Sequence, residues 1–200
     1  MNKKPTTWPS PSYYVGTDSF VHAIGILSAN YNLLEFQLMR LFKVYTINHP
    51  IASTLLFNSI NNHNRLTIIK IIAPDSSHPL RVRNRVVEFC KGFNGCATNR
   101  NILMHSQMIP IIQDDGTYEV QFKKMPNKPP FEENIYAPSI DELRAIADAV
   151  KRFEQFGHKL FMHIVQEFER SLLTPELALL PPFKLPRNPQ RPQILNPITP

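Results

Sequence analysis

The sequence predicts an all-α fold, an antiparallel helical bundle with a small inserted β-hairpin and a proline-rich C-terminal tail. Apolar residues recur at alternating steps of three and four near the start and near the end of the chain, which is the period of one helix face. Between these segments, an Asp-Gly pair flanked by apolar runs indicates the hairpin. We therefore expect an N-terminal arm over 1–14, a helical domain over 15–173 and a tail over 174–200.

Length and composition set broad limits on the function. The 200 residues suffice for one domain with a core, and a formal net charge of +6 favours contact with a polyanion, although such a charge is also common for solubility alone. Cys90 and Cys96 are too few for a disulfide framework or a four-ligand zinc site, which fits a reducing, cytoplasmic setting. We expect neither a secretory signal nor a membrane span.

The two long helices have distinct sequence signals. The first begins at Asp18, and its apolar face comprises Phe20, Ile24, Leu27, Tyr31, Leu34, Leu38, Leu41 and Tyr45. The last begins after Ser139, because Ser139 and Glu142 match the capping box, in which each side chain binds the other residue's backbone amide. Its apolar pattern continues to Leu172, and we expect it to pack against the first helix.

Two shorter helices are predicted between them. One follows Asn48-His49-Pro50 and ends at Pro74, and its short connection predicts an antiparallel pair with the first helix. The next follows Pro79 and reaches Gly92-Phe93-Asn94-Gly95, where we expect a break or kink. The prolines at 175, 181, 182, 186, 189, 192, 197 and 200 predict an extended or disordered tail, a linker or docking peptide rather than core.

The hairpin is predicted over about 109–122. The segments 109–112 and 118–122 flank Asp114-Asp115-Gly116, and an Asp-Gly between apolar or alternating runs favours a tight turn. Residues 125–138 contain four prolines and are expected to form a loop. The hairpin would thus be an insertion between helices.

The hexapeptide Arg100-Asn101-Ile102-Leu103-Met104-His105 contains the candidate functional residues. RNA cleavage needs no metal, because the substrate's own 2′-hydroxyl attacks the neighbouring phosphorus once a base removes its proton. A histidine, with an unperturbed pKa of roughly 6.5, moves protons near neutral pH, and a guanidinium binds phosphate and counters developing charge. Asn101 offers a hydrogen bond to the phosphate or to its neighbours.

Helical geometry complicates this assignment. Five residues of a regular helix turn through roughly 140° and rise about 7.5 Å, so Arg100 and His105 would point in different directions. We therefore expect either that Arg100 lies in a loop or first turn after Gly95, or that a second subunit completes the site in a symmetric dimer.

The Arg-Asn-x-x-x-His arrangement, late in a helical domain, resembles the signature of the HEPN superfamily of ribonucleases and nucleotide-binding domains. The order of helices is also similar, and the resemblance covers about residues 18–173. It implies a metal-independent endoribonuclease that dimerises so that paired motifs form one cleft, often in toxin–antitoxin or phage-defence systems. By this resemblance, Arg100 and His105 are the catalytic pair and Asn101 is an auxiliary residue. It does not explain the hairpin or the tail.

Several alternatives remain open at this level. Arg100 could be solvated while His105 caps or packs, and some members of such families keep the motif only as a structural hydrogen-bonded cluster. The whole chain could instead be a non-catalytic interaction module or a nucleotide-binding regulator.

Other polar residues are secondary candidates. Arg81, Arg83 and Arg85 could steer RNA toward a groove beside the motif, or form a solvated helix face. Glu35 could brace Arg100 or His105, or be exposed or locally paired. His63, His158 and His163 are expected at core or boundary positions. Because no histidine or cysteine spacing matches a zinc signature, we predict no metal and no cofactor.

Overall fold

The computed structural model describes residues 18–46, 49–112, 114, 118–125, 133–170 and 184–198, so the predicted arm over 1–14 lies outside it. Over these residues the chain is mostly helical, with five helices and a three-stranded antiparallel sheet. The helices are α1 (Asp18–Thr46), α2 (Pro50–Ser59), α3 (Asn62–Asp75), α4 (Leu80–Met104) and α5 (Ile140–Arg170). The strands are β1 (Gln107–Ile112), β2 (Tyr118–Lys124) and β3 (Asn134–Tyr136). None of these helices is long and apolar enough to cross a membrane.

The first and last helices pack against each other, as predicted, and α4 runs alongside both. Gln37 of α1 donates to Glu154 of α5 at 3.3 Å, and the Arg40 guanidinium lies 3.1 Å from His158 Nδ1, so α1 and α5 run in the same direction. α4 runs in the opposite direction, because its first turn faces the end of α5 while its last turn shares a core with the start of α5.

The predicted capping box at the start of α5 is confirmed. The Glu142 backbone amide donates to Ser139 Oγ at 3.2 Å, and the Ser139 amide donates to Glu142 Oε2 at 2.8 Å. Both amides would otherwise lack an intrahelical acceptor. The start of this helix is therefore determined by four consecutive residues.

The single helix predicted between Pro50 and Pro74 is wrong, because the segment forms the two helices α2 and α3. The chain leaves the helical conformation at Ile60, and the Asn61 side chain accepts from the Asn64 amide at 2.9 Å, which starts a new helix. Pro74 lies inside the last turn of α3 rather than beyond its end. Positions 56, 59, 63 and 66 keep helical spacing across the break, but Ser59 and His63 are polar, so the spacing alone does not reveal the split.

The break predicted at Gly92–Gly95 is also wrong, because α4 is a continuous helix of 25 residues. Both glycines allow close packing instead. A Cβ atom at Gly92 would lie 1.8 Å from the Phe153 ring, and one at Gly95 would lie 2.7 Å from the Pro192 ring. The glycines in α4 therefore make room for neighbours on two sides, and the helix does not kink at them.

The predicted hairpin is present as β1 and β2, which pair antiparallel from Gln107↔Lys123 to Ile112↔Tyr118. Residues 115–117 of the predicted turn lie outside the described chain. The segment expected to be loop contains the short strand β3, whose Tyr136 pairs with Phe122 of β2. Tyr136 and Phe122 are both buried, and this burial offsets the low strand preference of the proline-rich surroundings.

Two apolar clusters form the core. The larger lies between all five helices, and the smaller lies between the start of α1, the end of α4, the sheet and the start of α5. Residues 184–198 of the tail have no helix or strand, yet Leu185 packs against the larger cluster and Leu195 against the smaller. The expectation that this segment lies outside the core is therefore corrected for these two side chains.

Alkaline pH is expected to destabilise the fold. Burial is the main cause that raises the pKa of Tyr31, Tyr45, Cys90 and Cys96 to about 12, from usual values of 10.0 for tyrosine and 9.0 for cysteine. These groups ionise at a lower pH in the unfolded chain than in the folded one. Their contribution to stability is therefore complete below pH 9 and is lost toward pH 12. Thermal melts between pH 8 and 11 should show a falling Tm, and a flat Tm would contradict the assigned burial.

Candidate active site

Arg100 and His105 meet at the C-terminal end of α4. Arg100 is half-buried just before the last turn of α4, whereas His105 is the exposed C-cap residue with φ −116° and ψ 14°. Arg100 Nη1 lies 2.8 Å from His105 Nε2. Because His105 has left the regular helix and the arginine side chain is long, the two groups meet within one chain. Neither the expected loop position of Arg100 nor a second subunit is required for this contact.

The contact defines the hydrogen-bonding roles in the pair. A guanidinium has N–H donors and no acceptor, so His105 Nε2 must be the acceptor in a bond with Arg100. An accepting Nε2 carries a lone pair, and the ring proton of a neutral imidazole is then on Nδ1. The pair as it stands thus presents an imidazole nitrogen without a proton, directly beside a cation.

Asn101 and Lys124 complete the polar surroundings of the pair. The Asn101 side-chain oxygen accepts from Arg100 Nη1 at 3.2 Å, and its backbone oxygen accepts from Lys124 Nζ at 3.4 Å. Ser106 Oγ donates to the backbone carbonyl of Ile102, the residue after Asn101. These bonds satisfy carbonyl groups that the end of a helix leaves without intrahelical donors, and cations are favoured there.

Sequence reasoning missed Lys124, which is placed beside α4 by the pairing of β2 with β1. The signal available was its position two residues beyond the strand predicted over 118–122. Since β2 ends at Lys124, the sheet places a second cation beside Asn101, the residue that follows Arg100.

Tyr31 of α1 lies beneath the Arg100 guanidinium. The guanidinium carbon is 5.4 Å from the centre of the Tyr31 ring, within the range of a cation–π contact. Burial, followed by the Glu35 carboxylate, raises the pKa of Tyr31 to about 12, and its hydroxyl accepts from Asn62 Nδ2 at 3.1 Å. Sequence periodicity identified Tyr31 only as a core residue, although its polar tip indicates a boundary position.

Glu35 does not brace the motif directly. Its carboxylate pairs with Arg65 Nη1 at 3.0 Å, and Arg65 also donates through Nε to the Phe57 carbonyl at 2.8 Å. The Arg65 side chain is only 12% exposed, and its guanidinium lies over the Phe57 ring. Of the alternatives expected for Glu35, the structure shows an ion pair, with Arg65, that joins α1 to α3 in place of a brace to Arg100 or His105.

The three arginines at the start of α4 lie far from the motif. Along a helix, the 15 to 19 residues between them and Arg100 correspond to about 22–28 Å. Arg81 pairs with Glu167 at 3.5 Å, and Arg83 donates to the Pro74 carbonyl. Within one chain, Arg81, Arg83 and Arg85 therefore do not line a groove beside Arg100.

A second arginine–histidine pair lies elsewhere on the molecule. Arg40 contacts His158 at 3.1 Å, and its guanidinium carbon lies 3.7 Å from the centre of the Phe161 ring. His158 and His63 are exposed, and His163 is buried. Arg40 and His158 are 118 residues apart, so no local pattern indicates their contact.

His105 is exposed at the end of α4, and Arg100 beside it is half-buried. A cavity lies between α5 and the tail, and neither Arg100 nor His105 lines it. Among the described residues, no group of three His, Cys, Asp or Glu side chains is placed to hold a metal ion. An exposed histidine outside that cavity suits a polymer more than a small enclosed ligand.

Comparisons with known proteins add no information to this geometry. No protein-family model, no curated protein and no solved structure matches the chain.

Proposed function

We propose that this protein is a metal-independent endoribonuclease that cleaves single-stranded RNA through attack of the 2′-hydroxyl. The observation that carries the proposal is the 2.8 Å contact between Arg100 Nη1 and an exposed His105 Nε2, with Asn101 on the same guanidinium. The net charge of +6 and the resemblance of the Arg-Asn-x-x-x-His motif to the HEPN superfamily support it. The setting that this resemblance suggests is a cytoplasmic toxin–antitoxin or phage-defence system, with an antitoxin as a further partner.

Each step of the proposed reaction uses a group already in place. A phosphate oxygen replaces His105 as the acceptor from Arg100, which leaves the Nε2 lone pair free. His105 then removes the proton of the 2′-hydroxyl, the O2′–P bond forms and the P–O5′ bond breaks. The imidazolium returns the proton to the leaving 5′-oxygen. The products are a 2′,3′-cyclic phosphate and a 5′-hydroxyl, and Arg100 counters the charge that grows on the phosphoryl oxygens.

The cluster around Arg100 also supports the rival interpretation of a structural role. Arg100 contacts His105, Asn101 and the Tyr31 ring, and a purely structural cluster would show the same contacts. The two interpretations differ in what the contacts are for. A structural cluster predicts a loss of stability when His105 is replaced, whereas a catalytic pair on an exposed surface predicts a loss of activity with little change in Tm.

Chelation of metal ions is expected to leave cleavage unchanged. With the protein in EDTA, a panel of unstructured RNAs should be cut at the same rate as without EDTA, and the products should carry cyclic phosphate ends. An RNA with 2′-deoxyribose at the cut site should resist cleavage because it lacks the nucleophile. Varied RNAs left intact by the wild-type protein would refute the proposal, and cleavage of the deoxy substrate would refute the mechanism.

A homodimer is part of the proposal, and α2 offers exposed apolar side chains that a second copy would cover. Ile51 and Leu55 are 66% and 65% exposed, and Leu56 lies beside them. α2 ends at Ser59, three residues before Asn62, which contacts Tyr31 beneath Arg100. A dimer through α2 would therefore form near the motif, where paired motifs could share one groove.

Replacement of Leu55 by glutamate is expected to give a monomer and to lower RNA cleavage, because a buried charge opposes association. Sedimentation velocity and the cleavage assay would be run side by side. Leu33→Glu is the control, since Leu33 is also exposed but points about 160° away from Tyr31 around α1. Dimers that persist in Leu55→Glu, or that dissociate only in Leu33→Glu, would exclude an interface at α2.

A non-catalytic interaction module is a second candidate, favoured by the outer face of α1. Ile26, Leu33 and Phe36 are all more than 40% exposed there and lie on one side of the helix. This candidate predicts binding of a partner protein that Leu33→Glu abolishes and that changes at Arg100 do not affect.

A further inference from the structure

The tail returns to the bundle and lies along one face of α4. Glu88, Gly95 and Asn99 are spaced by seven and four residues, so they lie within about 40° of one another around the helix. Each contacts the tail, and together we call them the α4 stripe. Arg191, Pro192 and the backbone of Gln193 to Leu195 follow the stripe in the same order as its residues.

The side chain of Asn99 binds the backbone of the tail. Its Nδ2 donates to the Gln193 carbonyl at 2.7 Å, and its Oδ1 accepts from the Leu195 amide at 2.9 Å. The Asn99 side chain is fully buried, so loss of these partners would leave a buried amide unsatisfied. One side chain thereby binds two peptide groups two residues apart, which requires residue 195 to have a free N–H and therefore not to be proline.

Glu88 and Gly95 recognise side chains. The Glu88 carboxylate accepts from Arg191 Nη2 at 2.8 Å and 3.0 Å and from Nε at 3.2 Å. These hydrogen bonds, followed by that from Lys91, lower the pKa of Glu88. At Gly95 the missing side chain lets the Pro192 ring approach the helix backbone. The stripe therefore fits an arginine followed directly by a proline.

Two contacts extend the site beyond α4. Leu195 packs against the smaller core cluster. The Ile198 amide donates to the Ile135 carbonyl at 2.7 Å, a bond to β3 outside its pairing with β2. An apolar side chain three residues after the proline is thus partly buried against this cluster, and the backbone beyond it is held at the sheet.

We propose that the α4 stripe, with the adjoining core and β3, is a peptide-recognition site for an extended Arg-Pro-x-x-Leu sequence, and that the chain's own tail occupies it. The contacts select an arginine, a proline and a leucine at fixed spacing through a carboxylate, a glycine and an apolar cluster. The site therefore binds the same sequence when it is supplied on a separate peptide, once its own tail is weakened.

Charge reversal in the full-length chain tests the site. A nitroxide label on Ile198→Cys reports whether the tail is docked, and buried Cys90 and Cys96 should not react with the label. Glu88→Arg alone and Arg191→Glu alone are expected to mobilise the label, and the double variant is expected to immobilise it again. Labels that stay immobile in both single variants, or that stay mobile in the double variant, would overturn the proposal.

Binding of separate peptides gives the second readout. Two synthetic 184–198 peptides would be compared, one with the natural sequence and one with the Arg191→Glu change. The natural peptide should bind unlabelled Arg191→Glu protein about tenfold more tightly than the changed peptide does. The reason is that Arg191 of the natural peptide forms a charge-assisted, bidentate pair with Glu88. In Glu88→Arg protein the preference should reverse. Equal affinities in both proteins, or no binding of either peptide, would contradict sequence recognition.

A pair of glycine variants separates docking from folding. Gly95→Gln should mobilise the label, because its Cβ collides with Pro192, whereas Gly25→Gln has nothing within 4 Å of the added Cβ and should not. Circular dichroism would show whether both variants keep their helices. An immobile label in helical Gly95→Gln protein would also overturn the proposal.

Discussion

Replacement of Arg100 and His105 together by alanine is expected to lower the rate of RNA cleavage by about 10²–10⁴-fold, the range for a proton shuttle and a phosphate-binding cation. The single variants should approach the same loss, because residues that act as a unit are not additive. The rates would be measured over a range of RNA concentrations up to saturation, in the presence of EDTA. A loss in kcat with a nearly unchanged KM for RNA is expected of His105→Ala, since His105 acts on the proton rather than on the bound phosphate.

The pair of Arg40 and His158 provides the matched control. It has the same two residue types in contact at 3.1 Å, and its double alanine variant removes the same charge from the chain. Cleavage by Arg40→Ala/His158→Ala protein should therefore stay near the wild-type rate. Equal activity of both double variants would exclude catalysis by the motif, and equal loss in both would indicate an effect of charge alone.

Replacement of Gly92 by alanine is expected to destabilise the fold by about 1–3 kcal/mol, the usual range for overpacking of a core. The added Cβ would lie 1.8 Å from the buried Phe153 ring, so α4 and α5 would have to separate locally. For a chain of this length, that free energy corresponds to a fall in Tm of about 2–12 °C. Thermal and urea unfolding would both measure it.

Gly25→Ala is the control for this prediction. Gly25 is also inside a helix, but its added Cβ meets nothing within 4 Å. It should therefore stabilise α1 by up to about 1 kcal/mol through helix propensity. The double variant Gly92→Ala/Phe153→Leu should lose less free energy of unfolding than the two single variants lose in sum, because the two changes share one contact. A neutral Gly92→Ala would contradict the close approach of α4 and α5.

Prediction of the fold from the sequence succeeded where the signal was local. The bounds of α1 followed from helical periodicity, the start of α5 from Ser139 and Glu142, and the β1–β2 pair from the Asp-Gly between its strands. Prediction from the sequence missed the start of a new helix at Asn61 and the strand β3. Helical spacing was followed across the cap at Asn61 through the polar Ser59 and His63, and β3 exists because Tyr136 is buried against residues distant in sequence.

The candidate site divides in the same way. Arg100, Asn101 and His105 are neighbours in sequence, so the sequence alone was enough to propose them as a site. The residues around them are not neighbours. Tyr31, Lys124 and the Arg65 partner of Glu35 come from α1, β2 and α3, and only packing brings them together. Periodicity reports which face of a helix is buried, but it does not report against what.

The amino-acid sequence was sufficient for the predominantly helical class, the two long helices and the residue types of the motif, because these depend on spacing along one chain segment. Three features were settled by packing instead: α4 continues through Gly92 and Gly95, Arg100 meets His105 within one chain, and the tail lies on Asn99. A glycine, a long arginine side chain and a buried amide each permit several local conformations. The neighbour that each one contacts selects among them.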